Sequence, residues 1–448
     1  MKHLIATLFI FTLITSPFAL ESHAAAVQLP KTGQTISYAA GDDGDLELGV
    51  AWPNPRFTDN GDQSVTDNLT GLIWAKDANL MKTRDPLLYG QTTYDGAGIP
   101  TTIPGNTWQQ ALDYVKKLNT EIYLGHNDWR LPNINELASI KNIGQSNQAT
   151  WLNWQEFANV QFNAYWSTTN YTYDTSGDWV VSMNTGVTDG INKTSFYHVW
   201  PVRFGQSGAF GSLTLSKTGQ TSCYNATGST ISCSGTGQDG ESQTGVAWPI
   251  LRFTDNSLNN SAEKTVTDNL TGLAWSKDAD LAKTTKTWQQ ALDYVKAMNS
   301  FNFSGHNDWR LPNTNELASV LNQGQSNQAT WLNGQGFANV RLNYYWSANT
   351  FVGNTIYAWV FNMNTGVMGA DKKDNAGSSR VWPVRSERAL LLKPGDCDNS
   401  GTVSIAEVQS GINMFLGLKA AEACVDQDGV GGVSIAEVQK VINSFLGL

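Results

Sequence analysis

The chain repeats itself, and no other feature restricts its fold so much. VTDNLTGLIWAKDANL at residues 65–80 returns as VTDNLTGLAWSKDADL at 266–281, and TWQQALDYVKKLN at 107–119 returns as TWQQALDYVKAMN at 287–299. GHNDWRLPN begins at Gly125 and Gly305, QSNQATWLN at Gln145 and Gln325, and VWPVR at Val199 and Val381. Solenoid units are about 20–50 residues long, so a period of this length indicates duplicated domains. The interval between equivalents is 201 residues for the first pair and 180 for most of the rest, which leaves copy one with 21 extra residues. They fall in the Gly/Pro/Thr-rich stretch 84–104, which predicts a surface loop. The copies are expected at 27–205 and 213–387.

Within each copy, apolar spacing separates helix from strand. Thr107 caps a predicted helix in which Trp108, Ala111, Leu112, Val115 and Leu118 form one apolar stripe. Asn133 and Glu136 have capping-box spacing and open a shorter helix with Leu137 and Ile140 inward. Residues 165–167, 179–183 with Val187, and 197–204 read as strands, with a turn at Asn184-Thr185-Gly186. Two helices with short antiparallel strands make each copy an α+β module.

The ends differ from the repeats. An almost unbroken apolar run at 4–20 follows Lys2 and leads to Ala24-Ala25-Ala26, the pattern of a signal peptide spanning 1–26. Pro17 and the polar, glycine-rich sequence beyond argue against a membrane span, and no later segment is apolar enough for one. The protein is therefore expected to be secreted, extracellular or on the cell surface. The chain's formal charge is −10 with no basic cluster, which argues against a nucleic-acid partner. In an exported chain Cys223 pairs naturally with Cys233, ten residues on, and Cys397 with Cys424.

Residues 394–448 hold seven carboxylates against Lys419 and Lys440, an excess suited to a cation. From Asp396, DCDNSGTVSIAE places side-chain oxygens at positions 1, 3, 5, 9 and 12, on Asp396, Asp398, Ser400, Ser404 and Glu407. Thr402 offers its carbonyl, and Gly401 stands where the loop turns sharply. From Asp426, DQDGVGGVSIAE repeats the pattern with Asp426, Asp428, Ser434 and Glu437, the Gly432 carbonyl, and Gly431 at the turn. Val430 at position 5 supplies no side-chain oxygen, so the second loop should bind more weakly. Two such loops, 30 residues apart and both continuing SIAEVQ, point to calcium as the cofactor.

The remaining candidates are ambiguous one at a time. The repeated tryptophans (Trp74/Trp275, Trp108/Trp288, Trp129/Trp309, Trp166/Trp346, Trp200/Trp382) fit a core, or a platform on which sugar rings stack; packing of small α+β domains favours the core. Trp154, Tyr171 and Tyr173 have no aromatic equivalent of their type in copy two and are better candidates for exposed contacts. Asp128 with Arg130, and Asp308 with Arg310, read as buried ion pairs. Glu136 and Glu316 read as caps, His126 and His306 as structural, and Asp59-Asn60-Gly61-Asp62 as a hairpin turn. No catalytic Ser/His/Asp set, carboxylate pair or phosphate loop recurs in both copies.

VTDNLTGLIWAKDAN, TWQQALDYV, NDWRLPNINELASI, YWST and the closing VWPVR together resemble the Lcl C-terminal domain family, named after the terminal domain of a bacterial collagen-like adhesin. The resemblance covers nearly all of both copies and implies a binding module, since that adhesin is associated with attachment to host glycosaminoglycans. This chain has neither collagen repeats nor basic patches. The motif order is also similar to C-type-lectin-like folds, though Leu131-Pro132-Asn133 lacks the acid or amide that a lectin calcium site places before proline. Loop-then-helix twice over, with helices expected at 405–416 and 435–446, resembles a dockerin, the module by which secreted polysaccharide-degrading components plug into cohesins.

The expected architecture is two tandem α+β, C-type-lectin-like modules followed by a small all-α, calcium-binding, dockerin-like domain at 394–448. The expected function is non-enzymatic extracellular binding or adhesion, with a glycan or protein as ligand. The alternative is a non-catalytic component of a polysaccharide-degrading assembly whose tail pairs with a cohesin.

Overall fold

Local hydrogen bonding sets the helices where the capping residues place them. Thr107 accepts from the Gln110 amide while the Gln110 side chain accepts from the Thr107 amide, opening the helix Trp108–Thr120 and burying Trp108, Ala111, Leu112, Val115 and Leu118. Asn133 and Glu136 do the same for Ile134–Ser139, and the equivalents Trp288–Ser300 and Thr314–Ser319 repeat both boxes. A third helix, Gln148–Asn153, is capped by Asn147; at six residues it is too short for apolar periodicity to reveal. The computed structural model describes residues 27–94, 100–204, 213–258 and 260–386, and in the tail Gly395, Cys397, 403–419, 424–425 and 432–446. The signal peptide expected at 1–26 lies outside them.

Each module has two main sheets, antiparallel throughout except where Ser379–Arg380 of module two runs parallel to Tyr344–Thr350. In module one Phe57–Asp59, Ser64–Asp67, Leu72–Ala75 and Val202–Phe204 are neighbours in that order, so the module's last strand closes against its early ones. The second sheet is a meander of Ala164–Asn170, Gly177–Ser182 and Thr188–Asn192. The stretch expected as a loop at 84–104 instead contains a hairpin, Gln91–Tyr94 against Pro100–Ile103. Its run of β-branched threonines favours pairing over irregular backbone.

The core is aromatic. Each of the repeated tryptophans is at most 2% exposed, which decides for the core over a sugar platform. Trp200 packs with its ring centre 5.2 Å from Trp74, 5.0 Å from Phe157 and 5.4 Å from Tyr165, and Trp382 repeats the cluster.

The leaders, 27–50 and 213–246, belong to both modules. Leader one touches its own module at Lys31 and Thr32: Ile143 N donates to the Thr32 carbonyl and Trp52 Nε1 to that of Lys31, both at 2.9 Å. On either side of these it reaches module two. Gln34 Oε1 accepts from Thr350 N (3.0 Å), Asp43 Oδ2 from Asn349 Nδ2 (2.7 Å), and Asn315 donates to the Pro30 carbonyl (2.9 Å). Leader two returns the exchange. Gln220 Oε1 accepts from Asn170 N (2.7 Å), Asp239 Oδ2 from Thr169 Oγ1 (2.8 Å), and Asn135 donates to the Ser216 carbonyl (3.0 Å). The short helices Asp43–Leu46 and Asp239–Ser242 that carry these carboxylates need glycine inside them. A Cβ at Gly44 would lie 2.1 Å from the Ile36 carbonyl oxygen, and one at Gly240 would lie 2.4 Å from that of Ser222.

The modules join in two further ways. Thr188 pairs with Met368, fusing the two three-stranded meanders, with Ser379–Arg380 beside Tyr344–Thr350 as the seventh strand, into a seven-stranded sheet, and Ile143 of module one lies in the core cluster of module two. Trp179 and Trp359 each lie against the other module's turn, at Gly366 and Gly186.

Burial pushes the carboxyls of Asp43 and Asp239 up, each to about 6, against the lowering effect of their hydroxyl and amide donors. A carboxyl raised on folding stabilises the fold below its unfolded value near 3.8 and loses that contribution as pH rises through about 6. The double variant D43N/D239N should therefore gain melting temperature relative to the parent as pH rises from 4 to 7, by an amount equivalent to roughly 2 kcal/mol per site. Thermal denaturation of both proteins across that range measures the difference, and a constant offset would contradict it.

Candidate functional site

In the tail, helix Ile405–Phe415 is capped by Ser404, and helix Ile435–Leu446 lies against it over a core of Val403, Met414, Val425, Val433, Val438 and Val441. Cys397 and Cys424 form a disulfide with Cα atoms 5.2 Å apart, and Gly395 N donates to the Cys424 carbonyl at 2.8 Å, holding the entries of the two loops together. Glu407, the last expected ligand of loop one, is buried. Its Oε2 accepts from Ser404 N (2.8 Å) and Ser404 Oγ (2.9 Å), and its Oε1 accepts from Cys397 N at 2.7 Å. Cys397 follows Asp396 directly, so the carboxylate at position 12 is folded back onto position 2 and the loop is closed at both ends. Glu437 is also buried, and its Oε2 accepts from the amide and hydroxyl of Ser434 at 2.8 and 2.9 Å.

Of the ligands expected from the sequence, the structure places Ser404, Glu407, Gly432, Ser434 and Glu437. Asp396, Asp398, Ser400, Thr402, Asp426 and Asp428 lie outside the described residues. Among the described residues no three His, Cys, Asp or Glu side chains group as a metal site. The residues that are placed fit an oxygen-ligated cation: each loop ends in a buried carboxylate held by its own capping serine.

In the modules the expected Asp128–Arg130 and Asp308–Arg310 pairs do not form. Arg130 makes a two-pronged pair with Glu136 at 2.6 and 2.7 Å, and Asp128 meets Arg203 at 2.8 Å; Arg310–Glu316 and Arg385–Asp308 repeat the arrangement. The cause is burial. Glu136 caps its helix from the interior and needs the guanidinium, whereas Asp128 is nearly half exposed and does not. Trp154 is 77% and Tyr173 50% exposed, as expected of contact residues, but Tyr171 is buried edge-on against Trp179. His126 and His306 are half-buried, with His306 beside Glu263 at 3.2 Å. Cys223 and Cys233 form the second expected disulfide.

Two features carry no local sequence signal. Lys193 lies 4.4 Å from the Trp108 ring centre and donates to the Thr175 and Asn225 carbonyls, tying module one to leader two; Lys373 lies 4.0 Å from Trp288 and 5.1 Å from Tyr38 of leader one. Burial draws both ammonium groups down to about 8. The other feature is a cavity of about 130 Å3 between the modules, walled by the repeated helices Ile134–Ser139 and Thr314–Ser319, both leaders, Trp179, Phe361 and Met368. Lys141 lines it.

No curated protein matches the chain. The family model described as Lcl C-terminal domain matches residues 63–203 and 264–385, which together make up more than half of the sequence. Both matches begin after a leader and the second ends before the tail, so they fall on the repeated sheets and helices described above. The chain belongs to the Lcl C-terminal domain family, with two copies of the domain in tandem.

Proposed function

We propose that the protein is an exported, non-enzymatic binding or adhesion protein that recognises a glycan or another extracellular ligand through its joined modules and binds calcium in its tail. Both disulfides suit an oxidising compartment, and among the described residues no helix is long and apolar enough to cross a membrane. The calcium half of the reading is carried by one observation: the buried Glu407 carboxylate folds back to the Cys397 amide and brings the two ends of the first acidic loop together. The ligand half is supported by the exposed rings of Trp154 and Tyr173, since an exposed indole offers a flat apolar face beside a hydrogen-bond donor. Four of the displaced titratable groups, Asp43, Asp239, Lys193 and Lys373, hold leaders to modules, so their burial has a structural cause.

A second reading keeps the same tail and gives it a cohesin as partner, making the protein a non-catalytic part of a polysaccharide-degrading assembly. Its support is the paired loop-then-helix arrangement over one shared core.

Calorimetry of the full chain with calcium should show two sites, the second weaker because Val430 stands at its fifth position. E407Q should weaken the first site by about tenfold or more and leave the second, since it removes charge from one ligand set only. A chain that takes up no calcium ends this part of the reading.

A glycan array probed with the full chain should return ligands whose binding drops in W154A with no change in melting temperature. Cohesin pull-down with and without chelator separates the second reading, which requires capture that calcium removal abolishes.

A further inference from the structure

The cavity between the modules is built from equivalent elements of the two copies. Asn135, Ala138 and Ser139 face Asn315, Ala318 and Ser319, with Leu29 and Leu215 from the two leaders. Among the positions where the copies differ, Lys141 stands in place of Leu321, Thr188 of Met368 and Ile134 of Thr314. Lys141 Nζ lies 3.2 Å from the Gly186 carbonyl, 3.3 Å from Thr188 Oγ1 and 3.5 Å from Met368 Sδ, all of them neutral groups. Part of the side chain is accessible through the cavity it lines, while protein atoms enclose its ammonium as densely as in a core. Among the described residues it makes no ion pair, and no carboxylate offsets the effect of its burial, whereas the charges of Asp178 and Asp174 act on Lys193. Among the described residues, the charged side chains lining the cavity are Lys141 and Lys217, both cations.

An ammonium buried without a counter-charge is costly, and leucine in the equivalent place shows that packing does not require it. Burial draws Lys141 down to about 8, so it is still mostly charged at neutral pH. The remaining wall is largely apolar, and the volume is close to that of an engineered cavity of about 150 Å3 that holds benzene in another protein.

We propose that this cavity binds one small organic carboxylate, whose carboxyl group pairs with Lys141 and whose apolar body lies against Trp179, Phe361 and Met368. The apolar wall selects an organic anion over an inorganic one, and Lys141 selects an acid over a neutral molecule of the same shape. The inference goes beyond the glycan and calcium readings and depends on neither.

Calorimetry of the full chain with benzoate and with hexanoate tests it, alongside benzyl alcohol and inorganic phosphate. A carboxylate should bind with a stoichiometry of one, more tightly than benzyl alcohol or phosphate. K141L, which places in copy one the residue that copy two already has, should weaken carboxylate binding roughly tenfold or more and leave benzyl alcohol unaffected. K141M, which keeps the length of the side chain, should behave the same way and guards against a packing defect in the first variant. The proposal is overturned if neither carboxylate binds saturably, if phosphate matches benzoate, or if both folded variants bind benzoate as the parent does.

Discussion

Two buried carboxylates hold this protein in one piece. Asp43 and Asp239 each sit on a short helix of a leader and accept hydrogen bonds from the far module, through Asn349 in one case and Thr169 in the other. Placing a carboxylate there costs desolvation, seen in the rise of both groups to about 6. A leader that left its site would strand these donors as well as the amides of Thr350 and Asn170, so the docking is specific in register and not merely adhesive. The duplication therefore did not produce two beads on a string. Neither module has its full set of contacts without the first residues of the other, and any ligand sites the copies share are held at a fixed separation by packed side chains rather than by a linker.

In such a body the repeated positions carry the architecture, and the unrepeated ones are free to differ. Trp74, Trp108, Trp166 and Trp200 keep their equivalents because each fills a close-packed core. The departures lie at the margins of that core. Copy one alone has the hairpin arm, and Tyr89 just before it stacks on the buried His198, whose imidazole burial draws down to about 4. Copy one alone has Trp154, where copy two has Gly334, and Lys141, where copy two has Leu321. Leader two alone has a disulfide. Specialisation of one copy on a scaffold that needs both explains why the asymmetric residues are found at the surface, at a leader and in the shared cavity.

What the sequence revealed depended on the range of the interaction. Both capping boxes and the buried stripe of Trp108–Thr120 were legible, because a cap is decided within four residues and a stripe within three turns. The tryptophan core was legible from repetition and size. The partners of Asp128 and Arg130 were not: Arg203 lies 75 residues from Asp128, and the claim of Glu136 on Arg130 depends on a burial that only the fold creates. The exchange of leaders left no trace at all. When two copies have near-equivalent docking sites, a leader satisfies similar donors in its own module or its neighbour, and chain geometry decides between them.

The tail shows how a sequence motif and a fold can divide one task. Spacing names the oxygens of each loop, but spacing does not bring the first and last of them together. Here Cys397, between Asp396 and Asp398, is tied to Cys424, two residues before Asp426, and its amide is held by Glu407. The same few atoms thus anchor the start of loop one to its end and to the start of loop two, while Val425 and Val441 join the helices behind them. A cation using these ligands would meet loops whose ends are already fixed, so less of its binding energy would go into ordering the chain than in a loop without the crosslink. On the calcium reading, the disulfide and the capping glutamate would therefore both belong to the cation site, although only the glutamate would supply an oxygen to it.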